Sequence, residues 1–471
     1  MRALAFVLLS SPLLSGVAWG LTTAGSYLDL GGEQFFSQAA DPEVDSSFSR
    51  LGLGLKAGWV LQPLGLETLV EVDGQLALDS SQQNYLAVPE LYVLWVDREG
   101  VSQDVSLEVS LGRRKHLWSV LDDEWKLGLW QPLARWDELD RKTQGFAGLF
   151  VRGGARPFSA NLMLSPIFIP DQGAQSELED GKVSSQSRWF RPPPRQMIPL
   201  GEEQTEIHYE VAMPSLTEIL SQFSFVGQLK WQQEQGKGRG HWISLNVADK
   251  PLNQIQLPFE GVLDIAASSD YGLTRVVIHP RVYRHRLAGV EWGYGSEGSQ
   301  LWASLTREWV ETQDLPGEWF FSPPSGGVYP GLGFRQNWAF WGLPGIDTRI
   351  SYVGFWEDES SLQLSTEGDA GGLAQQGSAR HPFQEALTWG LSSLWSWSES
   401  QSLRLGLDHT YSFSERGSLL SLSLRAQTQP GLFWSLGLDL LGAGAQPVSE
   451  GGLISQYRHN DRVRAGVTYV F

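Results

Sequence analysis

The sequence predicts an all-β protein, a transmembrane antiparallel β-barrel of about 18 strands (range about 16–20) with long outer loops, some of them folded into the lumen. Three observations support this prediction. Segments of about ten residues alternate between apolar and polar side chains, as strands do when one face meets lipid and the other water. Tight turns alternate with long connections, and aromatic residues recur at segment ends, where bilayer interfaces would lie.

The C-terminal segment from Asp461 to Phe471 shows the alternation most clearly. Its apolar face comprises Val463, Ala465, Val467, Tyr469 and Phe471. The opposite face carries Arg462 and Arg464, and turning them to lipid would cost roughly 2–4 kcal/mol each near the midplane. We therefore predict that both arginines face the lumen. Tyr469 and the terminal Phe471 resemble the signal by which the barrel-assembly machinery recognises outer-membrane barrels.

Composition narrows the class of protein further. Residues Met1–Gly20 read as a secretory signal peptide, with Arg2, an apolar run and a small-x-small site, so residues 21–471 are expected to form a single outer-membrane barrel. The net charge of −18 argues against nucleic acid as a partner. The chain has no Cys, which excludes disulfides and thiolate metal sites.

Alternating segments number twenty, with a clear hairpin series from Leu403 to Leu441. Three segments are weak, Ser26–Gly31, Glu206–Met213 and Gln256–Ala266, so eighteen strands are equally defensible. Between two of the segments, Pro214–Leu220 carries Ser and Glu at capping-box spacing and predicts a short helix at the periplasmic rim.

Connection lengths predict the orientation, because outer-membrane barrels have short periplasmic turns and longer outer loops. The tight set is 62–65, 153–156, 296–299, 343–345, 398–401 and 429–431, and the long set is 113–143, 166–205, 311–331, 358–385 and 442–456. The predicted periplasmic rim carries Trp59, Tyr294, Phe340, Trp397 and Tyr469. The predicted outer rim carries Trp231, Trp356, Tyr411 and Phe413.

Alternation also assigns charged side chains to the lumen. The acidic ones lie mostly in early strands: Glu67, Glu71, Asp73, Glu108, Glu291, Asp408 and Asp439. The last strands contribute mainly arginine: Arg335, Arg349, Arg404, Arg425 and Arg464. Each charge taken singly is consistent with a solvated wall residue, and together they predict a transverse field across the pore.

The segment 112–144 interleaves tryptophans with charged residues, a composition unsuited to lipid. Indole faces beside charged donors and acceptors suit a sugar chain. The predicted constriction and substrate-binding residues are Arg113, Arg114, Lys115, Trp118, Trp125, Trp130, Arg135 and Trp136. The alternative is a loop that folds into the barrel merely to narrow it.

A second long loop is locally basic and aromatic around Pro192–Pro194. Its predicted binding residues are Arg188, Trp189 and Arg191, and the expected ligand is an anion or the phosphates of lipopolysaccharide. A basic cluster of this kind is unusual in so acidic a chain.

At these loops the sequence resembles the alginate-export family of outer-membrane porins. The resemblance rests on Gly112–Arg113 at a strand end, the Asp/Trp/Gly run from Asp122 to Trp130, Arg135 with Asp137, and the C-terminal strand. It implies a barrel of about eighteen strands whose basic constriction, here Arg113, Arg114 and Arg135, passes an acidic polysaccharide outward. The partners expected from the sequence are outer-membrane lipid and lipopolysaccharide, a polysaccharide substrate and a periplasmic export partner.

Two other functions remain open. A general or substrate-selective diffusion porin would share the barrel and the constriction. A barrel enzyme would need a Ser and an acidic residue beside a His. His409 is predicted to face outward in a clearly alternating strand, but the strand register places neither a Ser nor an acidic residue next to it. No metal site is predicted, because His279, His285 and His381 lack ligand spacing, and no cofactor is expected.

Overall fold

The computed structural model describes residues 19–38, 44–61, 66–78, 81–97, 105–193, 196–197, 205–234, 239–263, 274–311, 316, 319–320, 324–340, 343–358, 380–442, 444 and 452–471. Eighteen strands, numbered β1 to β18, form one closed antiparallel barrel. β18 pairs with β1, with Arg462 opposite Phe35 and Val470 opposite Tyr27. The predicted fold class is confirmed. Except for Trp19 and Gly20, which begin β1, the predicted signal peptide lies outside the described residues.

The barrel strands are β1 (Trp19–Phe35), β2 (Ser47–Leu61), β3 (Leu66–Ala77), β4 (Tyr85–Asp97), β5 (Val105–Arg114), β6 (Phe146–Ala155), β7 (Phe158–Ser165), β8 (Ser224–Glu234), β9 (Gly240–Pro251), β10 (Arg284–Ser296), β11 (Ser299–Val310), β12 (Gly327–Phe340), β13 (Leu343–Gly354), β14 (Glu385–Ser398), β15 (Gln401–Ser412), β16 (Gly417–Gln429), β17 (Leu432–Gly442) and β18 (Arg462–Val470). Trp356–Glu357 extends β13 along β12.

The connections contain short elements. The helices are α1 (Val120–Trp125), α2 (Leu216–Leu220), α3 (Leu453–Tyr457) and the 3-10 turn Ser81–Gln83. The small strands are Leu133–Arg135, Lys142–Thr143, Gln172–Gly173, Glu177–Glu179, Lys182–Ser184, Gln196–Met197, Thr205–Val211, Phe259–Leu263, Thr274–Ile278 and Trp319–Phe320. Among the described residues, no helix is long and apolar enough to cross a bilayer.

Side-chain alternation separates the two faces of the barrel wall. On β9, Ile243 and Leu245 are 40% and 51% exposed on the outer face, whereas Ser244 and Asn246 are buried on the inner face. A soluble protein would cover such an apolar exterior, while a bilayer solvates it. The outer surface is therefore built to face lipid.

Connections alternate in length as predicted. The rim that carries the short connections, here called the turn rim, includes Glu297–Gly298 and Pro430–Gly431. Gly431 has a φ of 76°, a conformation that suits glycine because a Cβ would be strained there. The opposite rim, here called the loop rim, carries the generally longer connections, although only residues 413–416 join β15 to β16. Trp59, Tyr294, Trp397 and Tyr469 lie near the turn rim and Trp356, Tyr411 and Phe413 near the loop rim, and Phe340 ends β12 at the turn rim.

Two of the weak segments are not barrel strands. Thr205–Val211 pairs in parallel with Thr274–Ile278, which in turn pairs with Phe259–Leu263. These loop strands form a separate small sheet around a buried cluster of Ile207, Tyr209, Phe259 and Val276. Alternation cannot distinguish an apolar face that meets lipid from one that meets a small loop core, which explains the error.

The same error inverted part of the predicted topology. Trp231, predicted at the outer rim, lies opposite Phe158 at the turn rim. α2 has the predicted capping box, with Ser215 and Glu218 exchanging hydrogen bonds, but it lies in the connection between β7 and β8 at the loop rim. When the two loop segments are no longer counted as barrel strands, the strands between them in the sequence, β8 and β9, run in the opposite direction to the one predicted.

A labelling experiment tests the observed topology. Because the chain has no Cys, Thr217→Cys in α2 and Ser400→Cys in the turn between β14 and β15 each introduce a unique thiol. In intact cells, a membrane-impermeant maleimide should label the first variant and not the second. Equal labelling of both in lysed cells is the control, and labelling of Ser400→Cys alone in intact cells would contradict this orientation.

Candidate functional site: a loop across the lumen

The connection between β5 and β6, residues 115–145, folds into the barrel and is here called the lumen loop. It contains α1, which begins because the Ser119 side chain accepts a hydrogen bond from the Asp122 N–H at 3.2 Å. α1 ends at Lys126, whose φ of 46° is left-handed. These local signals hold a helix of six residues that would be marginal in isolation.

The first part of the loop, residues 115–130, is here called the outward limb, and residues 131–145 are called the return limb. The outward limb is fastened to the far wall of the barrel. Glu291 of β10 accepts hydrogen bonds from the Ser119 hydroxyl at 2.6 Å and the Val120 N–H at 2.9 Å, at the positive end of α1. Glu124 pairs with Arg349 at 3.3 Å and lies 3.9 Å from Arg335. Since β4 and β13 lie half a turn apart in this barrel, a loop that leaves β5 and reaches β13 crosses the lumen.

Apolar packing holds the same limb against the inner wall. Trp118, Leu121 and Trp130 are each 1% exposed in a cluster with inward side chains of β6 to β14. Gly331 leaves room for this approach, because a Cβ there would lie 2.4 Å from the Leu121 side chain. At roughly 25 cal/mol per Å² of apolar surface, burial of two indoles contributes several kcal/mol to the docked loop.

The return limb is fastened where the barrel closes. Arg462 of β18 is fully buried and pairs with Asp137 of the loop at 2.7 Å, with Glu33 of β1 at 2.8 Å and with Asp439 of β17 at 2.8 Å. A buried guanidinium needs such partners, because desolvation is costly without them. One side chain therefore joins three strands and the lumen loop.

Two further contacts complete this attachment. Lys142 pairs with Asp73 of β3 at 3.2 Å. The indole of Trp136 stacks on Tyr85 of β4 with ring centroids 5.1 Å apart and planes 5° from parallel. The loop is thus held on opposite walls of the lumen.

Carboxylates of the loop respond to their surroundings in opposite ways. For Asp137, burial alone would raise the pKa, but Arg462 and then Arg464 outweigh burial and hold the pKa below its usual value. For Asp122, burial dominates and raises the pKa to about 6, even though the carboxylate accepts from Leu129 and Trp130 N–H groups. Of these two carboxylates, ionised Asp137 stabilises the docked loop, whereas burial makes ionisation of Asp122 unfavourable.

The basic residues predicted at the constriction are each partnered. The Arg113 guanidinium donates to Gly145 O at 3.1 Å, and Lys115 pairs with Glu71 at 3.1 Å. Arg114 lies 3.6 Å from Glu108, and Arg135 pairs with Glu138 at 3.0 Å. These groups stabilise the base and the fold of the loop, so they do not form a ring of unpaired positive charge.

The predicted tryptophans divide into two groups. Trp118, Trp125 and Trp130 are buried within the apolar cluster, and Trp125 packs edge-on against Phe383. Their rings leave little face for a solute in the lumen. Trp136 differs, because it is only partly buried and borders open space beside Tyr85.

The second predicted cluster also divides. Arg188 is buried and donates to Ser37 O at 2.9 Å and His459 O at 2.7 Å. Trp189 stacks edge-on against Tyr457 and lies under Arg462, 5.0 Å from its guanidinium carbon. Arg191 alone of the three is exposed. Arg188 and Trp189 thus connect three outer loops.

The predicted lumen arginines line one side of the wall. Arg404 and Arg425 face each other in register on β15 and β16, and both are exposed. Arg335 and Arg349 are also in register, on β12 and β13, but Arg349 is partly buried. Arg464 pairs with Asp439 at 3.1 Å. Like-charged neighbours would be unfavourable on a dry surface, so a water-filled passage beside Arg404 and Arg425 fits their placement.

Sequence reasoning missed one buried network near the loop rim. Glu308 of β11 receives hydrogen bonds from Tyr329 at 2.8 Å and from Arg380 at 3.0 Å, and it contacts His285. Tyr329 also bonds His381 at 2.7 Å. His285 and His381 are far apart in the sequence, without the short spacing typical of metal ligands, and only the folding of the barrel brings them together. Sequence reasoning therefore could not identify this cluster.

Comparisons with known proteins find distant structural similarity only. No family model matches the sequence, and no curated protein does. The structure is similar to Pseudomonas putida OprB at 8% identity, covering 96% of this chain and 94% of that one with a TM-score of 0.42. It is also similar to Pseudomonas aeruginosa OccD3 at 12% identity, covering 96% of this chain and 93% of that one with a TM-score of 0.39. A third similar structure is Pseudomonas aeruginosa OccK2 in complex with glucuronate, at 10% identity, covering 95% of this chain and 97% of that one with a TM-score of 0.42.

The chain's own structure shows a closed antiparallel β-barrel with an apolar exterior. Similarity this distant concerns architecture and says nothing about the solute. Nothing in these comparisons is specific to the alginate-export family, so the sequence resemblance to that family is not supported beyond the barrel class.

The anchor at Arg462 can be tested through Asp137→Asn. Losing one charged partner should cost about 2 kcal/mol and loosen the return limb, which should increase open-channel current noise at neutral pH. Asp123→Asn, in the same loop at an exposed position, is the matched control. The pH dependence has a definite sign: stabilisation by ionised Asp137 exists above its unfolded pKa of about 3.9 and is lost as pH falls below it. Native and Asp137→Asn channels should therefore converge in strongly acidic buffer, and equal noise at neutral pH would contradict the anchor.

Proposed function

We propose that this protein is a passive diffusion channel of the outer membrane for small polar solutes, with the lumen loop as its constriction. The observation that carries the proposal is the attachment of this loop to opposite walls of a closed barrel. Glu291 of β10 holds Ser119 of the loop, Glu124 of the loop pairs with Arg349 of β13, and Asp137 pairs with Arg462 at the seam between β1 and β18. A tethered loop narrows a channel permanently instead of opening and closing it.

The same attachments favour small solutes over a polymer. A polysaccharide chain would need a continuous passage, and widening the lumen by moving the loop would expose Trp118 and Trp130 and leave Arg462 short of a partner. We accordingly place the diffusion porin above polysaccharide export as the function of this barrel. An export channel with a periplasmic partner remains the second candidate, supported by the sequence resemblance alone.

Charge placement supports selectivity for polar solutes. Inward acids Glu71, Glu90 and Glu108 lie on β3, β4 and β5, and Arg349 and Arg404 lie on β13 and β15 across the lumen. Fixed opposite charges across a narrow aqueous passage orient water and dipolar solutes and slow apolar ones. We propose this transverse field as the filter.

An enzymatic role has weaker support. His409, an outward histidine of β15, accepts a hydrogen bond from the Trp389 indole at 3.1 Å, which occupies one ring nitrogen with a structural partner. Contact between exposed Arg191 and lipopolysaccharide phosphates, and recognition of Phe471 by assembly machinery, stay proposals.

Solute size provides the first functional test. Proteoliposomes containing the full-length protein should swell in solutions of glycerol and monosaccharides, with rates that fall steeply toward oligosaccharides. The expected cause is the constriction, because eighteen strands without an inserted loop would leave a wide lumen. Comparable permeation of a long oligosaccharide would favour export instead.

Ion selectivity provides the second test. The double variant Arg404→Gln/Arg425→Gln should shift the reversal potential in a salt gradient toward cations, because it removes two exposed positive charges from the lumen wall. Arg286→Gln removes a positive charge from the outer face of β10 and should leave the reversal potential unchanged. An equal shift in both variants would show that the arginine wall does not border the passage.

A further inference from the structure

A cavity of about 130 Å³ separates the return limb of the lumen loop from the inner wall of β1 to β4. At roughly 10–15 Å³ per enclosed water, this space holds on the order of ten waters, which is about the room that one sugar ring requires. The cavity lies in the lumen beside the constriction. A solute that passes through the lumen would therefore come into contact with the residues that line this cavity.

Aromatic rings form part of the cavity wall. Trp136 and Tyr85 stack on each other, and Tyr27 lies close by, donating its hydroxyl to Asp73 at 2.5 Å. The edges and remaining faces of such rings are surfaces on which the CH groups of a sugar pack. The site is rigid, because Lys142 and Tyr27 both hold Asp73.

Two hydrogen-bond donors of the cavity lining have no acceptor. The Trp136 indole N–H and Nη1 of Arg188 are buried and unpartnered within the described part of the chain. Arg188 is 7% exposed, and its other donors are used by Asn460, Ser37 and His459. Unsatisfied buried donors are costly, so a ligand or water that brings acceptors into this space is favoured.

Charge selects among ligands that offer acceptors. Six carboxylates line the cavity: Asp29, Glu33, Asp45, Asp73, Asp137 and Asp140. Three cations line it, Arg50, Lys142 and Arg188, and six minus three leaves an excess of three negative charges. Arg462, buried behind Glu33 and Asp137, lowers the excess to two. An acidic solute is disfavoured here, whereas hydroxyl groups can both donate to carboxylates and accept from the free N–H groups.

We propose that this cavity is a binding subsite for a neutral sugar or similar polyol, occupied during passage through the channel. The proposal rests on the diffusion-channel function, which it deepens by naming the class of solute. Trp136 supplies a stacking surface and a donor, Arg188 a second donor, and the acidic wall accepts hydroxyl protons while excluding anions.

The test uses the full-length protein in planar bilayers, with glucose or glucuronate added on the loop-rim side. Glucose should reduce the ion current in a saturable way, and glucuronate should do so several-fold more weakly. Trp136→Ala should weaken the glucose effect by about tenfold, and Trp136→Phe, which keeps a ring but removes the N–H, should fall between. Trp434→Ala, on the lipid face of β17, is the matched control and should behave as the native protein.

The outcomes separate the two proposals. Absence of any ion conductance would overturn the channel function itself. Conductance that glucose does not alter, block by glucuronate alone, or equal glucose sensitivity in the native and Trp136→Ala channels would each overturn the sugar subsite while leaving the channel in place.

Discussion

The buried guanidinium of Arg462 is the interaction on which the other features depend. It sits where β18 meets β1, and its three carboxylate partners come from β1, β17 and the lumen loop. A barrel has no free edge only if its first and last strands stay paired, and a constriction persists only if its loop stays in place. One charge cluster serves both requirements. Trp189 over the same guanidinium extends the cluster to the next outer loop.

Inside the barrel the loop creates a core of the kind found in soluble proteins. Trp118, Leu121 and Trp130 pack on inward Phe150 and Met163 of the wall, so part of the lumen near the loop rim is dry and filled. In the proposed channel, solutes would pass along the polar surfaces. This division explains why apolar and charged inward residues occur on the same barrel: apolar ones contact the loop, and charged ones anchor it or meet water.

Much of this architecture could be predicted, and the failures have identifiable causes. Alternation in segments such as Arg462–Val470 is imposed by lipid on one side and water on the other, so it can be recognised in the sequence without a structure. Thr205–Val211 also alternates, though more weakly, because it packs in a small loop sheet. The tryptophans and charged residues of the lumen loop also predicted that this loop folds into the barrel. The sequence did not reveal which of these residues are occupied by contacts within the protein, because Arg113, Arg135 and Trp130 have partners far away in the sequence.

The sequence by itself determined the barrel class, the inward face of each true strand and the alternation of short and long connections, since all three follow from local periodicity and turn chemistry. Only the tertiary structure decided the strand number, the side on which α2 lies, and the meeting of Trp136 with Tyr85 or of Asp137 with Arg462. These depend on closure. A residue in the lumen takes its neighbours from strands on every side of the ring, and no local pattern in the chain records which strand lies opposite.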